Sequence, residues 1–237
     1  MKVVTSHQFR YTIFKPNNNK HTGKTILMYH GWGGSVDHYF SLAEKLAQEG
    51  YTVVIPEIIY HDSRSPIDNP FEIKNRQEFF WKVIINSIDE FDEFVRLLQI
   101  DKKDLILFGN SMGGFIVTGI YSQQSILGGA ASINGSGSFL LSEIIFRNMD
   151  NRVSLSIEEE NRLKEYDPVE QTNCESPLLI MHGDSDSIIS IDGQKKYYHY
   201  LFTNKKRKNI DFKIYEGIDH EFTLEMTNDF IDWLNKI

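Results

Sequence analysis

The stretch that most limits what this chain can become is Leu105-Ile-Leu-Phe-Gly-Asn-Ser-Met-Gly-Gly114. Leu105 to Phe108 is an apolar run of strand length, and it stops at Gly109. Ser111 then lies between Gly109 and Gly113 in the pattern G-x-S-x-G, a nucleophile elbow. In such a turn a strand passes sharply into a helix with the serine at the apex. Side chains two residues before and two residues after the serine would collide across it, so glycine suits both places. Gly114 to Tyr121 is apolar enough for a buried helix. The N-terminus of that helix would point at Ser111 and favour negative charge developing there.

The rest of the chain alternates strand and helix patterns around this turn. Gln8 to Lys15 alternates aromatic or β-branched residues with polar ones, as a strand exposed on one face would. Pro16 to Gly23 reads as a turn. Thr25 to Tyr29 reads as a central strand, followed by the glycine-rich His30-Gly-Trp-Gly-Gly34. A helix over Tyr39 to Glu49 ends at Gly50. Tyr51 to Pro56 is the next strand, and Ile58 to Phe71, with two prolines and many polar residues, reads as a long surface loop. Residues 75–99 carry an apolar stripe at helical spacing. After the elbow come a small-residue strand, Gly128 to Asn134, and a stretch to Glu175 that breaks the rhythm. That stretch holds helical pieces around Phe139 to Arg147 and Ser156 to Glu165. Strands at Pro177 to Met181 and Phe212 to Tyr215 and helices at Asp192 to Phe202 and Phe222 to Ile237 complete the series. The alternation predicts an α/β fold with a mainly parallel central sheet and helices on both faces. The chain reads as one domain, 1–237, with 136–175 as a small helical cap over the strand ends. Right-handed crossovers then gather the loops after the strands on one sheet edge, where ligands bind.

Composition narrows the partners. The formal charge is −8, from 33 acidic and 25 basic residues. A binder of nucleic acid or anionic membrane would carry the opposite balance, so neither is expected as a partner. Lys205 to Lys208 reads as a solvated basic loop after a helix. The one cysteine, Cys174, lies in a polar stretch with no basic neighbour and reads as an incidental thiol. No run approaches the length of a membrane span, and the first residues lack the apolar core of a signal peptide, so a cytoplasmic protein is expected. A homodimer is left open.

A serine hydroxyl needs a base to take its proton, and the base needs an acid to orient it. Candidates occur in the order Ser111, Asp186, His220, each after an expected strand. His30-Gly-Trp-Gly-Gly34, Gly109-Asn-Ser-Met-Gly-Gly114, His182-Gly-Asp-Ser-Asp186 and Asp219-His220 together make the chain resemble the α/β-hydrolase family, whose triad runs Ser, then Asp or Glu, then His. Within that family it is most similar to small bacterial esterases related to dienelactone hydrolases and to prolyl-oligopeptidase catalytic domains. The resemblance covers residues 24–237. The acid could be Asp184 or Asp186. The resemblance, through its H-G-x-x-D pattern, points to Asp186 and leaves Asp184 as a turn residue. Asp219, adjacent to His220, reads as a loop residue. His30 and His182 read as ring donors or acceptors to loop backbone, and His7, His21, His38 and His199 as surface residues. His61, in the long loop near Asp62 and Arg64, reads as a surface residue with substrate contact as the alternative. No metal-ligand spacing is present, and no cofactor or metal is implied.

The resemblance implies a serine hydrolase acting on a small-molecule ester through an acyl-enzyme. Ser111 would be nucleophile, His220 base and Asp186 its orienting acid. The backbone N–H groups of Met112 and Trp32 would form the oxyanion hole. Trp32, with Phe139 and Ile144 of the cap, is expected to line the substrate pocket. The alternatives are a peptidase, a thioesterase or acyltransferase using the same residues, or a non-catalytic ligand-binding member of the fold.

Overall fold

The computed structural model describes residues 1–16, 20–169 and 171–237. Residues 17–19 of the expected turn over Pro16 to Gly23, and Glu170 of the expected cap, lie outside the described residues. Among the described residues eight strands form one sheet in the order β1-β2-β4-β3-β5-β6-β7-β8. They are β1 (Lys2–Ser6), β2 (Phe9–Phe14), β3 (Thr25–Tyr29), β4 (Thr52–Pro56), β5 (Leu105–Asn110), β6 (Gly129–Ile133), β7 (Leu178–Gly183) and β8 (Ile210–Tyr215). β1 pairs antiparallel with β2, and β2 antiparallel with β4. All the other pairings are parallel. The sheet and its helices thus follow the expected α/β pattern, with one strand more than the sequence suggested. β1 escapes a reading by pattern because its residues are largely exposed and alternate weakly.

Side-chain alternation along the central strands divides the core in two. Leu27 and Tyr29 of β3, with Leu105 and Leu107 of β5, face one helical layer. That layer contains α2 (Ile73–Leu98), α3 (Met112–Gln123) and α6 (Asp192–His199). Ile26, Met28, Ile106 and Phe108 face the opposite layer, built on α1 (Phe40–Gln48) and α7 (Leu224–Leu234). Strands buried on both faces have no polar face to show, which is why β3, β5 and β7 read as unbroken apolar runs.

Between β6 and β7 the chain forms α4 (Phe139–Met149) and α5 (Ile157–Lys164). α5 opens on a capping box, Ser156 and Glu159 bonding each other's backbone N–H. α4 is anchored on the layer below: Phe139 packs on Trp81 and Phe115, and Phe146 on Phe80 and Phe115. Glu143, buried on the same helix, accepts hydrogen bonds from Trp81 Nε1 (2.7 Å), Arg147 Nε (2.7 Å) and Arg152 Nη1 (3.0 Å). The basic run 205–208 is not solvated throughout. Arg207 turns inward to the Tyr121 hydroxyl and the Ser176 carbonyl, both at 2.8 Å, and to the carbonyl of the buried Cys174. Among the described residues no helix is long and apolar enough to cross a membrane.

The elbow is built where β5 meets β3. A Cβ at Gly109 would stand 2.0 Å from the carbonyl oxygen of Gly113, and one at Gly113 would stand 2.1 Å from the carbonyl oxygen of Tyr29. Only the first of these glycines faces the other across the turn; the second makes room for β3. Both obstacles are main chain, one in the first turn of α3 and one at the end of β3, and cannot move aside. Gly113→Ala should therefore lose at least about 3 kcal/mol of stability, read as a lower urea midpoint at unchanged slope.

Candidate active site

Ser111 has φ 57° and ψ −122°, a backbone conformation that side-chain-bearing residues seldom adopt. The strain aims its hydroxyl above the carboxyl ends of the parallel strands. Three of the loops that leave those ends bring the sequence candidates together. His220 Nε2 lies 2.8 Å from Ser111 Oγ, and His220 Nδ1 lies 2.7 Å from Asp186 Oδ2. An ionised carboxylate only accepts, so Nδ1 carries the ring proton and Nε2 is left to accept the Ser111 hydroxyl.

Asp186 is held from every side. Its Oδ1 accepts the backbone N–H groups of Ile188 (2.9 Å) and Ile189 (2.8 Å). Its Oδ2 also stands 3.2 Å from His182 Nε2, which donates to the Ile189 carbonyl at 2.9 Å. Burial raises the Asp186 pKa, but hydrogen bonds from His182, His220 and Ile189 outweigh it and hold the carboxyl well below the usual carboxylate range. The other aspartates take loop roles. Asp184 accepts the Gly217 N–H at 2.7 Å, and Asp219 accepts the N–H and hydroxyl of Ser187 at 2.7 and 2.9 Å.

The loop after β3 turns back on itself through Gly34 N–H to the Gly31 carbonyl, 3.0 Å. Trp32 sits inside that turn. Among the described residues, neither the Trp32 nor the Met112 backbone N–H has an acceptor in the protein. Met112 is the first residue of α3, where helical N–H groups are free by construction.

The turn is braced by the 58–71 segment. His61 Nε2 accepts the Gly33 N–H at 3.0 Å, and its Nδ1 donates to the Ile59 carbonyl at 3.2 Å. Asp62 accepts from His30 Nε2 (3.2 Å) and from the Val36 N–H (3.2 Å), while His30 Nδ1 lies 2.9 Å from the Gly31 carbonyl. Trp32 Nε1 donates to the Pro70 carbonyl at 2.8 Å. His61 is 4% exposed, not the surface residue that its polar, proline-bearing segment suggests. Burial, followed by the neighbouring His30 ring, pushes its pKa down to about 4 against the opposing Ile59 carbonyl and Asp62, so the ring is neutral at physiological pH. No local signal marks it, because its burial is made by contact between two loops distant in sequence.

Ser111 borders a cavity with about 100 Å³ of free space, walled by Trp32, Phe80, Trp81, Phe146, Met149 and Ile189. Arg76, Glu143, Asp150 and Arg152 add charged groups to its lining. Of the three residues expected to line a substrate pocket, Trp32 borders this cavity and Phe139 and Ile144 do not. Phe139 is fully buried against Trp81 and Phe115, and Ile144 is 44% exposed on the outer side of α4. Five helical residues apart, the two point about 140° from each other, so no one cavity could take both. Phe146, one helical face with Phe139 and Glu143, supplies the wall instead. Among the described residues no group of three or more His, Cys, Asp or Glu could hold a metal ion.

The strand order, the strained serine between β5 and α3, and the loops gathered above it define an α/β hydrolase. The chain belongs to the dienelactone hydrolase family, whose sequence profile it matches over residues 9–232. It is 27% identical over 212 residues to the esterase YjfP of Escherichia coli, an alignment covering 84% of this chain and 83% of that one. In fold it resembles TT1662 of Thermus thermophilus (TM-score 0.74, 19% identity, 100% of this chain and 98% of the other). It also resembles the acylaminoacyl peptidase of Pyrococcus horikoshii (TM-score 0.72, 19% identity), matching 99% of this chain but 40% of that larger protein.

Proposed function

We propose that the protein is a serine carboxylesterase working through an acyl-enzyme, with Ser111, His220 and Asp186 as its triad. The observation that carries this reading is the unbroken relay from Ser111 Oγ through both ring nitrogens of His220 to Asp186. His220 Nε2 takes the Ser111 proton as Oγ bonds to the ester carbonyl carbon. The carbonyl oxygen becomes an oxyanion, and the free N–H groups of Trp32 and Met112 are the donors proposed to hold it. Collapse of this intermediate breaks the bond to the leaving oxygen, which receives the proton back from His220. Water then attacks the acyl-enzyme, giving its proton to His220. The acid departs as Ser111 regains its own. Asp186, kept ionised, fixes the ring tautomer and stabilises the imidazolium formed in both halves.

The test is a panel of p-nitrophenyl esters of graded acyl length together with a fluorophosphonate probe mapped by peptide mass spectrometry. Turnover of at least one ester and a single adduct on Ser111 are expected. An adduct on another residue, or neither turnover nor labelling, would overturn the reading.

A further inference from the structure

Ser111 borders two separate spaces, and they differ in kind. One is the small cavity under α4 described above. The other is an open cleft on the opposite side, formed by the Gly31–Gly34 turn, His38, Tyr39, Phe71 and Phe222. Trp32 borders both and stands between them, its indole pinned to the Pro70 carbonyl. His220 lines the open cleft and not the cavity.

That asymmetry orients a substrate. The residue that returns the proton must reach the leaving oxygen within hydrogen-bond range. The leaving group therefore lies on the His220 side, and the acyl group takes the other space. We propose that the open cleft is the leaving-group subsite and the cavity under α4 the acyl subsite. The substrates are then esters of a short-chain acid with a bulky, uncharged alcohol or phenol. This rests on the Ser111–His220 reading of the preceding subsection.

The walls agree with the assignment. A cavity of roughly 150 Å³ takes benzene, so one of about 100 Å³ takes an acyl chain of around four carbons. A longer apolar chain would have to pack against the charged groups in its lining. The charges there are already answered within the protein, Arg76 by Asp150 at 2.9 Å and Glu143 by Arg147 and Arg152, so they attract neither an anion nor a cation strongly. Among the described residues the open cleft is bordered by no Asp, Glu, Lys or Arg. Its outer wall is Phe71, 71% exposed, with the ring edge lying against Gly33 and one apolar surface left to contact a ligand.

Two ester series separate the subsites. Phenyl, 2-naphthyl and 4-biphenylyl acetates enlarge the leaving group at similar phenol acidity. Phenyl acetate, butyrate, hexanoate and decanoate lengthen the acid. kcat/KM should hold or rise along the first series and fall by roughly a hundredfold between butyrate and decanoate. Phe71→Ala should lower the biphenylyl-to-phenyl ratio about tenfold. Phe146→Leu, and independently the surface change Met149→Ala, should raise the hexanoate-to-acetate ratio about tenfold without moving the leaving-group ratios. A flat acyl series with a steep loss along the leaving-group series would overturn the assignment. So would acyl selectivity that responds to Phe71→Ala and not to changes at Phe146 and Met149. Absence of Ser111-dependent turnover on every ester is a different result: it removes the hydrolase reading itself, and the subsites with it.

Discussion

Ser111→Ala should lower kcat for ester hydrolysis on the order of a millionfold while leaving the fold intact. The hydroxyl is the only atom removed, and in the structure its hydrogen bond goes to His220 Nε2. The backbone strain at residue 111 is kept, because alanine and serine share it, so thermal unfolding should shift little. The proposed anion-binding N–H groups of Trp32 and Met112 are main-chain groups and survive the substitution. A residual acceleration of about a thousandfold over water is therefore expected, from substrate held beside these donors. Stopped assays with enzyme in excess of substrate would measure it. A variant retaining even a hundredth of the wild-type rate would sink the mechanism.

Asp186→Asn should cost about ten-thousandfold in kcat, and it should also destabilise the protein. The carboxylate accepts two backbone N–H groups on Oδ1 and the His220 ring on Oδ2, and the His182 ring also stands 3.2 Å from Oδ2. An amide can keep one oxygen only. If that oxygen stays with Ile188 and Ile189, the NH₂ group meets the ring N–H of His220. His220 then moves its proton to Nε2 and can no longer accept from Ser111. The pH dependence separates this from a packing defect. The Asp186 pKa is depressed in the folded protein, so its contribution is present above the unfolded value near 4 and is lost as pH falls through the lower folded value. The gap in melting temperature between wild type and Asp186→Asn should be widest near neutral pH and should close on acidification. A gap independent of pH between 7 and 3 would contradict the role given to the carboxylate.

What could be read from the chain alone follows from how local each signal is. β3, β5 and β7 are buried on both faces, so their residues are continuous apolar runs. The elbow is stereochemistry packed into five residues. Ser111 and Asp186 could be singled out as candidates because each follows such a strand; His220 follows the partly exposed β8, and parallel strands deliver all three loops to one edge. The residues that eluded the sequence depend on contacts it does not encode locally. His61 is buried by a distant glycine turn. Arg207, inside a basic run, turns to Tyr121 and Ser176. The error over Phe139 and Ile144 was one of phase: both are apolar residues of α4, but only the helix placed on α2 and α3 decides that Phe146 faces the cavity. β1 alternates only weakly and is largely exposed, and it exists because β2 offers it an edge.

The 58–71 segment joins three jobs that many enzymes keep apart. Through His61 it braces the turn that carries the Trp32 amide, through the Pro70 carbonyl it fixes the indole between the two spaces, and through Phe71 it borders the open cleft. If the proposed oxyanion and leaving-group roles hold, exchanging that surface loop for a new preference in alcohol also reopens the support of the turn. Rate and selectivity would then change together, and a graft of the loop onto a relative should carry its histidine with it.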